Sequence, residues 1–118
     1  MDNTPIKIDL SYLYSLTGGN KSFEQKLLSS AVVDVNKMVE RLQESWNNKE
    51  VDGIRKSAHS LISLSAIAGM PAVESWSRKI EKAFEDGRFH PELEDTATNI
   101  ISGWPSAYLQ LQDVIAGN

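Results

Sequence analysis

The 118-residue chain has no cysteine and only two histidines, which excludes disulfides and thiolate metal sites and leaves any transition-metal site dependent on carboxylates. Cysteine-free composition fits a reducing compartment. No apolar run approaches the roughly 20 residues that span a bilayer, and the start Met-Asp-Asn-Thr-Pro has neither the basic nor the apolar part of a secretory signal. A cytoplasmic protein with no membrane partner is therefore expected. Lysine and arginine total 12 against 16 aspartates and glutamates, for a net charge of −4 and a pI near 5.1. That is too little positive charge to grip a phosphate backbone, so proteins rather than nucleic acids are the expected partners. Strand-like alternation, internal repeats, glycine-rich phosphate loops and low-complexity segments are also missing.

What remains reads almost entirely with helical period. Asp9 to Leu16 predicts a short first helix with an acidic start, stopped by Thr17-Gly18-Gly19-Asn20. Ser22 and Gln25 have capping-box spacing ahead of a long helix whose apolar stripe is Phe23, Leu27, Ala31, Val35, Met38, Leu42 and Trp46, ending near Asn47-Asn48. A third helix is expected from about Val51 to Ala68, closed by Gly69, and Pro71 opens a fourth with Val73, Trp76, Ile80 and Ala83 inward as far as Asp86-Gly87. The last helix starts at Pro91 and carries Leu93, Ala97, Ile100, Trp104, Tyr108 and Leu111 at three- and four-residue steps. Pro105 within it removes one ladder hydrogen bond and predicts a kink near Ile101 to Trp104, or a break into two helices.

These elements predict a single all-α domain over residues 1–118. Its expected architecture is an antiparallel up-and-down four-helix bundle, core about 20–115, with the first helix as a lid over one end. Every long apolar stripe has a partner within the chain, so a monomer is expected. Tyr12, Tyr14, Tyr108 and the three tryptophans are assigned to the core or its ends. Asp34 with Glu40, and Glu81 with Glu85, fall at helix spacing without histidine partners and are expected to form solvated faces.

His59 stands apart because of its helical neighbours. At about 100° per residue, Ile54, Ala58, Leu61, Leu64, Ser65 and Ala68 form an apolar or small stripe, while Arg55, Lys56, His59, Ile62, Ser63 and Ala66 cluster on the opposite side. This predicts an imidazole facing solvent from a buried helix. His90, next to Pro91 at a helix start, is expected to be a water-exposed boundary residue.

The run Ala58-His59-Ser60-Leu61 through Gly69 resembles the signature of histidine-containing phosphotransfer (HPt) domains, A-H-x-L-K-G-x-x-x-x-x-G, with Ala58, His59, Leu61 and Gly69 at the matching offsets. Ile62 stands where that pattern has lysine and Ser63 where it has glycine. The resemblance extends, less specifically, to the Ile8-Asp9-Leu10 start, the Gly-Gly-Asn turn and Val73, Trp76 and Ile80. It implies a bundle without an ATP site or cofactor of its own. His59 would accept a phosphoryl group from a phospho-aspartyl receiver domain, of a response regulator or a hybrid sensor histidine kinase, and pass it to a response regulator. Mg²⁺ and an activating lysine would belong to the receiver. Arg55, Lys56, Ile62, Ser63, Ala66 and Lys79 would lie near the partner or the phosphoryl group, with Arg78 and Lys82 as further cations within reach. Two other readings share these residues: a degenerate bundle that binds receivers without being phosphorylated, and a helical adaptor outside signalling. The methionine start and the compact end at Gly117-Asn118 lead us to expect a free protein rather than a segment of a larger kinase.

Overall fold

The computed structural model describes residues 5–117. Five α-helices follow in order: α1 (Ser11–Thr17), α2 (Lys21–Asn47), α3 (Val51–Ile67), α4 (Pro71–Phe84) and α5 (Glu94–Ile115). A single 3-10 turn, Pro91–Leu93, leads into α5, and no strand occurs among the described residues. The chain is thus an all-helical bundle. Helix α3 packs against both α2 and α4, and α5 closes the bundle against α2 and, less extensively, α4. Two long-range hydrogen bonds fix α5 as antiparallel to α2. Gln25 Nε2 donates to the Ile115 carbonyl at 2.5 Å, and Trp104 Nε1 donates to Asn36 Oδ1 at 2.9 Å, so eleven steps forward on α2 match eleven back on α5.

The apolar pattern places the core where expected, with shifts of one position along each helix. On α2 the buried residues are Leu28, Ala31, Val32, Val35, Val39, Leu42 and Trp46, whereas Leu27 and Met38 are half-buried and Phe23 is 48% exposed. A helix flanked by α1, α3 and α5 buries more than a three-and-four stripe, and in its first turn Glu24, rather than Phe23, meets α1 through Thr17. Capping also moves: Asn20 Oδ1 accepts from the Phe23 amide at 2.9 Å, and Gln25, freed from the predicted box with Ser22, reaches α5 instead. On α4, Ser77 and Phe84 are buried where Trp76 and Ala83 were expected, and on α5 Ala107 takes the place of Tyr108. Helix α5 runs through Pro105 as one helix, which excludes the alternative of two separate helices.

The N-terminal segment belongs to the core rather than lying outside residues 20–115. Ile6, Leu10 and Leu13 are buried, while Tyr12 and Tyr14, assigned to the core or its ends, are about half exposed. Helix α1 begins at Ser11, and Asp9 sits outside it, accepting from the Ser11 amide at 3.0 Å and its hydroxyl at 2.6 Å. The Ser11 hydroxyl, then its amide, hold the Asp9 carboxyl below its ordinary value.

The α3–α4 turn shows why Gly69 is glycine. The Met70 amide donates to the Ser65 carbonyl at 2.8 Å and the Gly69 amide to the Ala66 carbonyl at 3.3 Å, a Schellman motif that requires its left-handed residue at Gly69, φ +75°. The Gly69 carbonyl accepts from the Asp9 amide at 2.7 Å, and a Cβ at position 69 would lie 2.5 Å from the Asp9 carbonyl oxygen. Conformation and space both exclude a side chain.

At the opposite end of α4, Phe84, Phe89 and Trp46 form a ring cluster with centroid separations of 5.0 to 5.9 Å. His90 stacks edge-on to Phe84 at 5.1 Å and, contrary to expectation, its side chain is only 13% exposed. Its Nε2 lies 2.9 Å from Asp86 Oδ1 and its Nδ1 lies 2.9 Å from Glu92 Oε2. A proline-start boundary became an anchored one because carboxylates stand on both sides of the ring.

Gly69→Ala is expected to lower unfolding free energy by about 1–2 kcal/mol from the left-handed conformation alone, and further through the clash with Asp9, as measured by urea denaturation. The His90 clasp sets a pH window. The hydrogen bond to Asp86, then that to Glu92, raises the His90 pKa, so its stabilisation is complete below the ordinary 6.5 and disappears as pH rises through the raised value. The hydrogen bond from His90 is the largest of the contacts that lower Asp86 from 3.8 to about 2, so that stabilisation is present above 3.8 and lost as pH falls through about 2. Thermal melts of wild type and His90→Gln should therefore differ most between about pH 4 and 6.5 and converge at alkaline pH.

Candidate functional site

Helix α3 presents His59 because its other faces are occupied. Ile54, Ser57, Ala58, Leu61 and Ser65 are buried and Leu64 half-buried, which leaves the His59 side outward, and its side chain is 71% exposed. The imidazole is not free to rotate, however. Its Nδ1 lies 2.5 Å from Oε2 of Glu81 on α4, a carboxylate only 23% exposed. An ionised carboxylate only accepts, so the proton of that hydrogen bond sits on Nδ1. In the neutral ring the lone pair is then on Nε2, on the side of the ring away from the Glu81 contact.

Glu81 is the residue the sequence reading missed, having placed it with Glu85 on a solvated face. Its spacing within α4 gave no signal, since the contact joins residues 22 apart in sequence and arises from the antiparallel register of α3 and α4. The same register sorts the remaining candidates. Ile62, Ser63 and Ala66 line a groove of about 700 Å³ together with Glu74 and Arg78 of α4 and Tyr12 and Leu16 of α1. Ile62 and Ala66 are half-buried and Ser63 is exposed, giving a small, largely apolar floor beside the histidine.

The basic residues are dispersed rather than gathered. Arg55 Nη2 is held by Asp52 one turn back, at 3.3 Å. Lys56 lines a different depression, towards α2, with Met38, Arg41 and Ser60. Lys79 is two residues from Glu81, about 200° around α4, so the contact between Glu81 and His59 puts Lys79 on the far face. Arg78, one turn from Glu81 on the same side, pairs with Glu74 at 2.9 Å. Among the described residues no cluster of three or more histidines and carboxylates is placed to hold a metal, and no helix is long and apolar enough to cross a membrane.

An exposed imidazole, oriented through one nitrogen and open at the other, has the chemistry to act as a nucleophile towards a group brought by another molecule. Residues 26–116 match the family model of the Hpt domain. The chain belongs to the Hpt domain family. Hpt domains are phosphotransfer carriers that interact with receiver domains and histidine kinases, and this chain's role is phosphotransfer in a phosphorelay. The fold agrees with that of the HPt domain of a sensor hybrid histidine kinase from Shewanella, with a TM-score of 0.82 over 94% of this chain and 95% of the other at 14% identity. No curated protein sequence matches the chain significantly.

The position of Glu81 in this Hpt domain makes a spectroscopic prediction. The ¹⁵N shifts of His59 should report an Nδ1–H tautomer in the wild type, and Glu81→Ala should remove that bias. A partly exposed charge-assisted hydrogen bond contributes about 1 kcal/mol, so phosphoryl acceptance should slow roughly fivefold. Glu81→Gln should keep the ring in place and lose less.

Proposed function

We propose that His59 is the phosphoacceptor and that a receiver domain's aspartyl phosphate is the donor. The observation that carries this reading is the orientation of His59, Nδ1 on Glu81 and Nε2 towards solvent beside an open groove. Nε2 attacks phosphorus in line, the N–P bond forms, and the P–O bond to the aspartate breaks with its electron pair leaving on that carboxylate. The ring, now bearing both the phosphoryl group and the Nδ1 proton, is cationic, and Glu81 stabilises that charge as it develops. Return of the phosphoryl group to a second receiver is the same path reversed.

Phosphoryl transfer demands alignment and neutralisation of charge more than covalent help from the acceptor. Mg²⁺ and the activating lysine are assigned to the receiver, so this chain acts as a carrier without an ATP site or resident cofactor. The groove offers the docking surface: half-buried Ile62 and Ala66 with exposed Tyr12 and Leu16 provide apolar area on one side of His59, from the next turn of α3 towards α1. A receiver of a response regulator or of a hybrid kinase fits this face, in a cytoplasmic setting and with this chain as a monomer.

The test is incubation of the purified protein with phosphorylated receivers, followed by assay of acid-labile phosphate. His59→Gln should abolish labelling while changing stability by no more than about 1 kcal/mol, the contribution of the hydrogen bond to Glu81. His90→Gln should retain labelling. Binding without label at His59 would instead identify a degenerate receiver-binding bundle.

A further inference from the structure

A phosphoryl group on His59 brings close to two negative charges to a surface that already holds Glu81, and α3 supplies little to offset them. One turn ahead on α3 stand Ile62 and Ser63, neither of them charged. One turn behind, Arg55 pairs with Asp52 and does not line the groove that begins at Ile62, and Lys56 lines the depression towards α2. The needed cation has to come from another helix.

The antiparallel register says which one. The His59–Glu81 contact is a fixed point between α3 and α4, and the two helices run in opposite directions from it, so a turn forward on α3 meets a turn back on α4. Ile62 and Ser63 are thereby set against Arg78, and Ala66 against Glu74, and all five line one groove. Three residues along α4 from Glu81 is an axial rise of about 4.5 Å, so Arg78 stands one turn from the carboxylate that contacts His59. Lys79 faces away, and Lys82 lies on the other side of Glu81, towards the Arg55 turn.

Resting on the phosphocarrier reading above, we infer that Arg78 binds the phosphoryl oxygens on His59, supplying from α4 the positive charge that residue 62 lacks, and that Glu74 holds it in the unphosphorylated state. The Glu74–Arg78 pair is an i, i+4 contact at 2.9 Å with the arginine side chain 62% exposed. Such surface pairs are weak and readily exchanged. A phosphoryl group presents more charge and matches the planar guanidinium with two parallel hydrogen bonds. Phosphorylation therefore exchanges one partner of Arg78 for another, and Glu74, released, becomes an uncompensated carboxylate on the groove wall.

The experiment is the half-life of phosphohistidine in the intact protein, loaded from a phosphorylated receiver, freed of it and followed at low salt. Arg78→Ala should shorten the half-life about fivefold, equal to about 1 kcal/mol, and the difference should shrink in high salt. Glu74→Gln, which frees the arginine, should lengthen it. Ile62→Lys should change the wild type little, but should restore the half-life in the Arg78→Ala background, because it returns a cation to the same place. Lys79→Ala is expected to be without effect. Circular dichroism of each variant establishes that the bundle is folded. Labelling of His59 with equal half-lives in wild type and Arg78→Ala overturns this inference and leaves the phosphocarrier reading intact, as does a loss for Lys79→Ala as large as for Arg78→Ala. Absence of label on wild-type His59 from every receiver overturns both.

Discussion

The Schellman turn at Gly69 fixes how α4 lies against α3, and the chemistry of this face follows from that register. With φ at +75° and the Asp9 backbone packed against it, the turn has one geometry and no room for a side chain. Pro71 then starts α4 at once, so the two helices leave the turn in a fixed phase. Residues near the turn set the phase, and residues three turns away inherit it. That inheritance brings Glu81 to His59 and Arg78 to Ile62.

The outcome on α4 is a row of alternating charge, Glu74, Arg78 and Glu81, alongside a histidine and a nearly uncharged strip of α3. Each charged member answers a different need. Glu81 contacts Nδ1 of His59 and leaves Nε2 open, while the groove along Ile62 and Ala66 is largely apolar. Lysine at position 62 would have placed cation and histidine on one helix, and here they are split between helices: the cation lining the groove with Ile62 is Arg78 of α4. This split helps to explain how a fold shared with the HPt domain from Shewanella persists at 14% identity: the apolar periods preserve the bundle, and the polar details of its face are free to move.

The far end of the bundle is organised by different forces. Trp46, Phe84 and Phe89 pack together, and His90 covers one edge with its two nitrogens bound by Asp86 and Glu92. The two histidines of the chain thus have opposite environments. One is open to solvent on one side and poised by a single carboxylate, and the other is enclosed and held at both nitrogens, which suits a structural clasp rather than chemistry.

Much of this was legible in the chain itself. The helical periods located all five helices to within a few residues, Gly69 and Pro71 marked the hairpin, and the stripe through Ile54, Ala58, Leu61 and Ala68 put His59 outside, because a helix's faces follow from its own repeat. The details that failed all depended on neighbours that sequence spacing does not name. Phe23 has the period of a core residue, yet its side of the first turn of α2 is left exposed while Glu24 takes the contact with α1. Gln25 was read as a cap, yet the end of α5 offered it a carbonyl. His90 was read as exposed, yet the loop folded its ring onto Phe84. The same limit divides the site: the sequence determined that His59 faces outward from a bundle, an intrahelical property. Only the tertiary structure decided that Glu81 orients it and that Arg78 rather than Lys79 stands beside it, since those depend on the relative phase of two helices.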